Sequence, residues 1–211
     1  MKKFILLFSI IIICFSFSSD NQFKKRWISI FDGKTLDGWR VGANSQTFKV
    51  EDGMIVVNGN VAHLYYDGTI GQHEFKNFEL KIDVKTMPGS NSGIYFHTAF
   101  QESSWPKKGY EVQVNNSHTD WRRTAGLYAI QDVKVAPAKD EEWFTMHIKV
   151  KDKRITVKVN DKLITDYIEP DNVKREPNMA GRVLSSGTIA LQGHDPKSKV
   201  FYKNIKMKIT G

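Results

Sequence analysis

Period-two alternation of apolar and polar residues dominates the chain after residue 27. Phe78, Leu80, Ile82 and Val84 alternate with Glu79, Lys81, Asp83 and Lys85, the pattern of a strand buried on one face. Phe144, Met146, Ile148 and Val150 repeat it against Thr145, His147 and Lys149. Ile155, Val157 and Val159 follow after the polar stretch Lys151-Asp152-Lys153, which predicts a hairpin. Asn160-Asp161-Lys162 turns the chain once more, into Leu163 and Ile164. Shorter strands fit residues 48–50, 54–57 and 62–66, with Asp52-Gly53 and Asn58-Gly59 as turn signals, and residues 188–193 and 200–209 supply the last two. Helical period is absent from every long segment; short helical turns are expected only at 103–107 and 172–179. Many short strands with regular turn signals predict an all-β sandwich of two antiparallel sheets. No internal repeat or interdomain linker interrupts the pattern, so residues 20–211 read as one domain.

Residues 1–19 fall outside this pattern. Met1, Lys2 and Lys3 precede an almost unbroken apolar run at 4–14, and Ser16, Phe17, Ser18 and Ser19 supply the small residues that a signal peptidase reads. The segment is expected to be a secretory signal peptide, its apolar run too short for a comfortable membrane span. The mature protein is therefore expected to be exported, periplasmic or at the cell surface, with no transmembrane segment left. Cleavage takes Lys2 and Lys3 with it and lowers the formal charge from +8 to +6. It also removes Cys14, the chain's one cysteine, which excludes disulfides, a cysteine nucleophile and a thiolate metal site. The remaining positive charge is scattered singly along strands, as at Lys149, Lys151, Lys153 and Lys158. A nucleic-acid surface would cluster it with interleaved aromatics, so no nucleic-acid partner is expected.

Candidate chemistry lies where strand parity turns polar and aromatic residues outward. In 109–115, Tyr110, Val112 and Val114 share one face and Glu111, Gln113 and Asn115 the other. In 93–98, Ile94 and Phe96 point inward, Tyr95 and His97 outward; in 126–129, Leu127 points in and Tyr128 out. In 187–194, Ile189 and Leu191 point in, Gln192 and His194 out. If these strands adjoin, they assemble a carboxylate, two histidines, amides and tyrosines on one surface suited to a sugar. Glycines at 93, 109, 126 and 193 allow a ligand or another backbone close approach. Asp32-Gly33 and Leu36-Asp37-Gly38 read as turns that dock Trp39. His63, His73 and His118 have no spaced partner and are expected in surface or packing roles, and His147 is expected to face solvent.

Several segments together resemble a known family. Phe31-Asp-Gly-Lys-Thr-Leu-Asp-Gly-Trp39, Asn91-Ser-Gly-Ile-Tyr-Phe96, Gly109-Tyr-Glu-Val-Gln-Val114, Glu142-Trp143, Gly187-Thr-Ile-Ala-Leu-Gln-Gly-His194 and Val200-Phe-Tyr-Lys-Asn-Ile205 occur in that order. The combination is similar to the bacterial 3-keto-disaccharide hydrolase domain family, formerly a domain of unknown function, and spans about residues 27–209. The resemblance implies a concanavalin A-like jelly roll. It also implies a periplasmic or surface enzyme acting on glycosides already oxidised at C3 by a separate oxidoreductase. The sequence departs from that pattern at His97, where arginine is usual, and at 62–67, which lack a glycine- and threonine-rich run.

An ordinary glycosidase needs two carboxylates, whereas Gln113 is the same-face neighbour of Glu111 and no Glu-x-Asp-x-x-Glu cluster occurs. A 3-keto sugar needs less. Its carbonyl acidifies the C2 proton, so one base, an electrophile on the ketone oxygen and an acid for the leaving group suffice. Glu111 and His194 are the candidate catalytic residues, as base or as ligands of a divalent cation, and no nucleotide cofactor is expected. Gln113 and Gln192 would orient them, with Tyr95, His97 and Tyr128 contacting the sugar. A non-catalytic carbohydrate-binding module and a conventional glycosidase remain the competing readings.

Overall fold

The structure is a computed structural model that describes residues 26–210. The strands are β1 (Ile28–Ser29), β2 (Trp39–Val41), β3 (Phe48–Glu51), β4 (Met54–Val57), β5 (Ala62–Tyr66), β6 (Phe78–Thr86) and β7 (Ser92–Thr98). They continue as β8 (Tyr110–Val114), β9 (Phe144–Lys151), β10 (Arg154–Val159), β11 (Lys162–Ile168), β12 (Thr188–Gly193) and β13 (Val200–Ile209). They form two antiparallel sheets. One runs β11-β10-β9-β6-β13-β4-β3, with β1 added along β13; the other runs β2-β5-β12-β7-β8. Among the described residues helix is confined to short 3-10 turns, and no helix is long and apolar enough to cross a membrane. The expected signal peptide lies outside the described residues.

Alternation explains the eight-stranded sheet. Leu80, Ile82 and Val84 of β6 and Met146, Ile148 and Val150 of β9 are fully buried against the other sheet, each contributing about 1.5–3 kcal/mol of hydrophobic stabilisation. Left-handed residues close its hairpins: Asp52 and Gly53 between β3 and β4, and Asn160 and Asp161 between β10 and β11, as two-residue turns that follow the strand twist require. Trp39 docks as the sequence implies. Its indole N–H donates to the Ile30 carbonyl at 2.9 Å, and its ring meets Tyr66 edge-on. His147 does not face open solvent: it lies half-buried on the outer sheet face, bonded to Glu79 at 2.9 Å and packed edge-on against Trp27.

The five-stranded sheet behaves differently. Every residue of β5, β7, β8 and β12 is buried, polar or not, because long loops cover the face turned away from the core. The expected helical turn at 103–107 is such a loop. The Gln101 side chain staples it, donating to the Ser103 and Trp105 carbonyls and accepting from the Lys107 N–H at 2.7 Å. Residues 126–129 are not a strand; Leu127 makes isolated bridges to Val112 and Gln131, and the Tyr128 N–H donates to the Glu111 carbonyl. In the 172–179 stretch only Pro177–Met179 forms a 3-10 turn.

Candidate active site

Cross-strand register sets the floor of the site. Tyr65, Ala190, Tyr95 and Glu111 form one row across β5, β12, β7 and β8; His63 with Gln192 and Gly93 with Gln113 form the next. Their side chains stand on the loop-covered face, and Tyr95, Glu111, Gln113, Tyr128, Gln192 and His194 all line one cavity of about 340 Å³. Six of the seven candidate residues are thus brought together.

Gly93 makes room for Glu111. A β-carbon at position 93 would sit 2.5 Å from Glu111 Oε1, so the carboxylate occupies space that any other residue would take. The Tyr95 hydroxyl donates to Glu111 Oε2 at 2.6 Å, and Gln192 Nε2 donates to Oε1 at 3.0 Å and to the Tyr95 oxygen at 3.1 Å. Burial raises the Glu111 carboxyl above its usual range, opposed by the Tyr95 hydrogen bond and by Arg182, Gln192 and His194. Burial and then the adjacent carboxylate push the Tyr95 phenol well above its ordinary value, so it remains a proton-bearing donor. Gln113 Nε2 donates to Asn91 Oδ1 at 2.9 Å. The carbonyl oxygens of Gln113 and Gln192 are buried without a partner; buried acceptors of this kind call for a ligand or water hydroxyl.

His194 is held from behind. Its Nδ1 lies 2.7 Å from Asp195 Oδ2, which also accepts from Ser198 Oγ, while Asp195 Oδ1 accepts from the Lys197 and Ser198 N–H groups. Partial burial works against the Asp195 charge, but the His194 and Ser198 hydrogen bonds win and hold the carboxyl down to about 2. Nε2 is left as the ring nitrogen without a partner, the arrangement by which a carboxylate fixes a histidine's tautomer.

Three residues that strand parity does not flag complete the walls. Arg182, 6% exposed, donates from Nη1 to the Gly109 carbonyl at 3.0 Å and sets its guanidinium 5.3 Å from the Tyr95 ring centre. Its loop is tied down by Arg175, which bonds the Arg182 carbonyl, Tyr110 and Tyr167. Trp105 packs against both His63 and His194. Asp120, the other carboxylate lining the cavity, meets Arg122 through the backbone N–H at 3.0 Å and the guanidinium at 3.7 Å. Arg182 and Trp105 sit in segments without period, where sequence carries no orientation signal. His63, expected in a surface or packing role, shares the parity of Tyr65 on β5 and is buried against Tyr95 and Trp105; burial, then the charges of Arg182 and His194, hold it down to about 3 and neutral.

His97 is not part of this group. Thr98 pairs with Thr188 but Phe96 pairs with Ile189, so β7 carries one extra residue there, and His97 takes a left-handed φ of 54°. The bulge reverses its side chain, which packs on Phe78 and Phe96. Nδ1 accepts from the Ser185 N–H and Nε2 donates to the Lys76 carbonyl. Burial holds the ring down to about 4; both nitrogens are spent on the fold, and a sugar-contacting role is withdrawn.

His118, His194 and Asp195 each place one ligand atom within 4.8 Å of the others, a grouping that could hold a metal ion. Two imidazoles with a carboxylate suit a borderline divalent cation such as zinc. Glu111, expected as a ligand with His194, is outside that cluster.

Residues 26–208 match the family described as the 3-keto-alpha-glucoside-1,2-lyase-like domain. The chain belongs to that family. It is 29% identical, over an alignment 229 positions long, to the 3-keto-disaccharide hydrolase of Bacteroides thetaiotaomicron, covering 87% of this chain and 78% of the relative. Among solved structures, a Parabacteroides distasonis protein provisionally described as a glycosyl hydrolase superposes on it with a TM-score of 0.74 at 21% identity, covering 92% of this chain and 97% of that one. SCLam, a non-specific endo-beta-1,3(4)-glucanase of family GH16, superposes with a TM-score of 0.56 at 12% identity, covering 87% and 89%. These likenesses agree with the two-sheet sandwich that strand periodicity predicts and with the jelly roll that the family resemblance implies; family and relative support a glycoside hydrolase-like role.

Proposed function

We propose that this protein cleaves the glycosidic bond of 3-keto-glycosides by removing the C2 proton and expelling the C1 oxygen. The carrying observation is the pairing, in one cavity, of a buried carboxylate of raised basicity, Glu111, with an imidazole oriented by a carboxylate, His194. The partnerless carbonyls of Gln113 and Gln192 accept hydroxyls of the bound sugar and orient its ring. Glu111 takes the C2 proton as the electron pair forms the enolate, whose charge on the C3 oxygen the Arg182 guanidinium offsets. The pair then returns, C1–C2 becomes a double bond and the C1–O bond breaks. His194, protonated and steadied by Asp195, gives its Nε2 proton to the leaving oxygen. The product is a 1,2-unsaturated 3-keto sugar, and water addition across that bond yields the free 3-keto sugar. A divalent cation held by His118, His194 and Asp195 would replace the His194 proton in that role, because a ligating imidazole is not protonated, and would supply Lewis-acid polarisation of a substrate oxygen. The substrate must come from a reaction that oxidises C3, and the signal-peptide pattern of residues 1–19 supports an encounter outside the cytoplasm.

Asp120 favours a second reading, a conventional two-carboxylate glycosidase, because it lines the same cavity as Glu111. One assay separates the two: aglycone release from a glucoside and its 3-keto counterpart, each with and without chelator. Release from the 3-keto compound alone, abolished by Glu111→Gln in a folded protein, supports the proposal. Equal turnover of the unoxidised glucoside, or an unchanged rate in Glu111→Gln, refutes it. A rate lost to chelator assigns the cation its role.

A further inference from the structure

A second cavity of about 300 Å³ opens on the same sheet, lined by Arg40, Tyr65, Asp67, Glu74, Thr98 and Lys108 among others. Tyr65 and Tyr95 both pair with Ala190 from opposite sides, so the backbones of these two tyrosines, one lining each cavity, are about two strand spacings, or roughly 10 Å, apart. Tyr65, Phe100 and Tyr95 form the wall between them. The loop after β7 serves both: Ala99, Phe100 and Lys108 face this cavity, Trp105 and Lys107 the first.

Its chemistry is that of a saccharide site. Thr98 is 1% exposed and its hydroxyl has no partner; Tyr65, equally buried, approaches the Gln101 backbone but its hydroxyl makes no well-formed hydrogen bond. Burial raises that phenol to about 12, so it stays a donor. Two enclosed hydroxyls without partners call for a ligand that both donates and accepts. The fixed charges at the rim, Arg40 and Lys108 against Asp67 and Glu74, cancel, which disfavours an ionic guest. Phe100 adds an aromatic surface to the lining, and the Arg40 guanidinium carbon lies over its ring, 3.5 Å from the centroid. Lys108 is anchored to the Ser186 carbonyl at 2.8 Å, and Ser186 in turn donates to Glu74, so this side of the cavity is pre-formed.

We infer that this cavity is a second carbohydrate subsite, binding one neutral sugar unit beside the candidate active site. It extends the proposed function but does not depend on that cavity's chemistry. The test is a titration of the isotopically labelled full protein with methyl glucoside, followed by amide NMR shifts, with glycerol as control. Thr98 and Ala99 should shift saturably, with a Kd of about 1–10 mM for a single sugar unit. Thr98→Val should weaken that set by about fivefold or more, the equivalent of one hydrogen bond, while the shifts at Gln113 and Gln192 titrate as before. Tyr65→Phe provides the second variant if Thr98→Val folds poorly. No saturable shift at 98–99, wild-type titration in both variants, or an identical curve with glycerol overturns the subsite. Loss of shifts at Gln113 and Gln192 alone counts against the first cavity and leaves this inference standing.

Discussion

Gly93→Ala places one methyl group against the candidate base and changes nothing else. The new β-carbon would lie 2.5 Å from Glu111 Oε1 and 2.9 Å from its Cγ, against an ordinary contact of about 3.5 Å. Glu111 must therefore retreat by about 1 Å, which stretches its bonds from Tyr95 and Gln192. Gly93 is not among the glycines with positive φ, so alanine carries no backbone strain and the damage is confined to the site. A 1 Å error at a reacting centre costs about 10²-fold, or roughly 2.7 kcal/mol of barrier. Overpacking costs about 1–3 kcal/mol of stability, lowering Tm by roughly 3–10 °C in a domain this size. Aglycone release from a 3-keto-glucoside, read beside a melting curve, measures both. The decisive comparison is the double variant, because contacting residues do not act additively. In a Glu111→Asp background, whose shorter side chain keeps a carboxylate and leaves room at position 93, the added methyl should cost little further activity. An equal hundredfold loss in both backgrounds, or full activity in Gly93→Ala, would falsify the link between the glycine and the carboxylate.

Glu111→Gln also has a pH signature. The folded carboxyl binds its proton more tightly than the unfolded one, so wild-type stability falls as pH climbs from the ordinary carboxylate value of about 4.3 through the raised value of Glu111. The melting temperature of Glu111→Gln should gain on wild type across that interval, and calorimetry showing the opposite trend refutes the raised carboxyl. Asp195→Asn should lower kcat by about 10²-fold at neutral pH with little change in KM, since it frees the His194 ring without removing it; a pure KM effect would move His194 to substrate binding. Arg182→Met should depress kcat on the 3-keto substrate by about 10²–10³-fold, measured by single-turnover release, and a loss confined to KM would make the guanidinium a binding group only. Trp39→Phe should cost about 1–3 kcal/mol by orphaning the Ile30 carbonyl, with kcat unaltered; unchanged chemical denaturation would deny the indole its docking role.

The half-buried sheet was legible because its alternation is strict: the core-facing residues of β6 and β9 read correctly, and so did the hairpin of β9 with β10, although His147 is less exposed than parity implies. The same parity located Glu111, Gln113, Tyr95, Gln192 and His194 on one face. It failed at His97, where one extra residue reverses the side chain, and no local signal such as glycine or proline marks that insertion. It was silent on Arg182 and Trp105, since loop residues reach a site through distant anchors, here Arg175, Gly109 and Gln101, which periodicity does not encode. The burial of the whole five-stranded sheet was likewise invisible, because the covering comes from loops rather than from the strands themselves.

The bulge in β7 acts as a frameshift in space. Upstream of His97 the even-numbered side chains go to the core and Tyr95 to the first cavity; downstream, Thr98 leaves the core and lines the second. A single inserted residue thus lets one continuous strand serve two chambers, and removing it would exchange inside for outside along everything that follows until the loop absorbs the error. Evolution of this domain toward new ligands can therefore proceed by indels at one position as readily as by substitutions within either chamber.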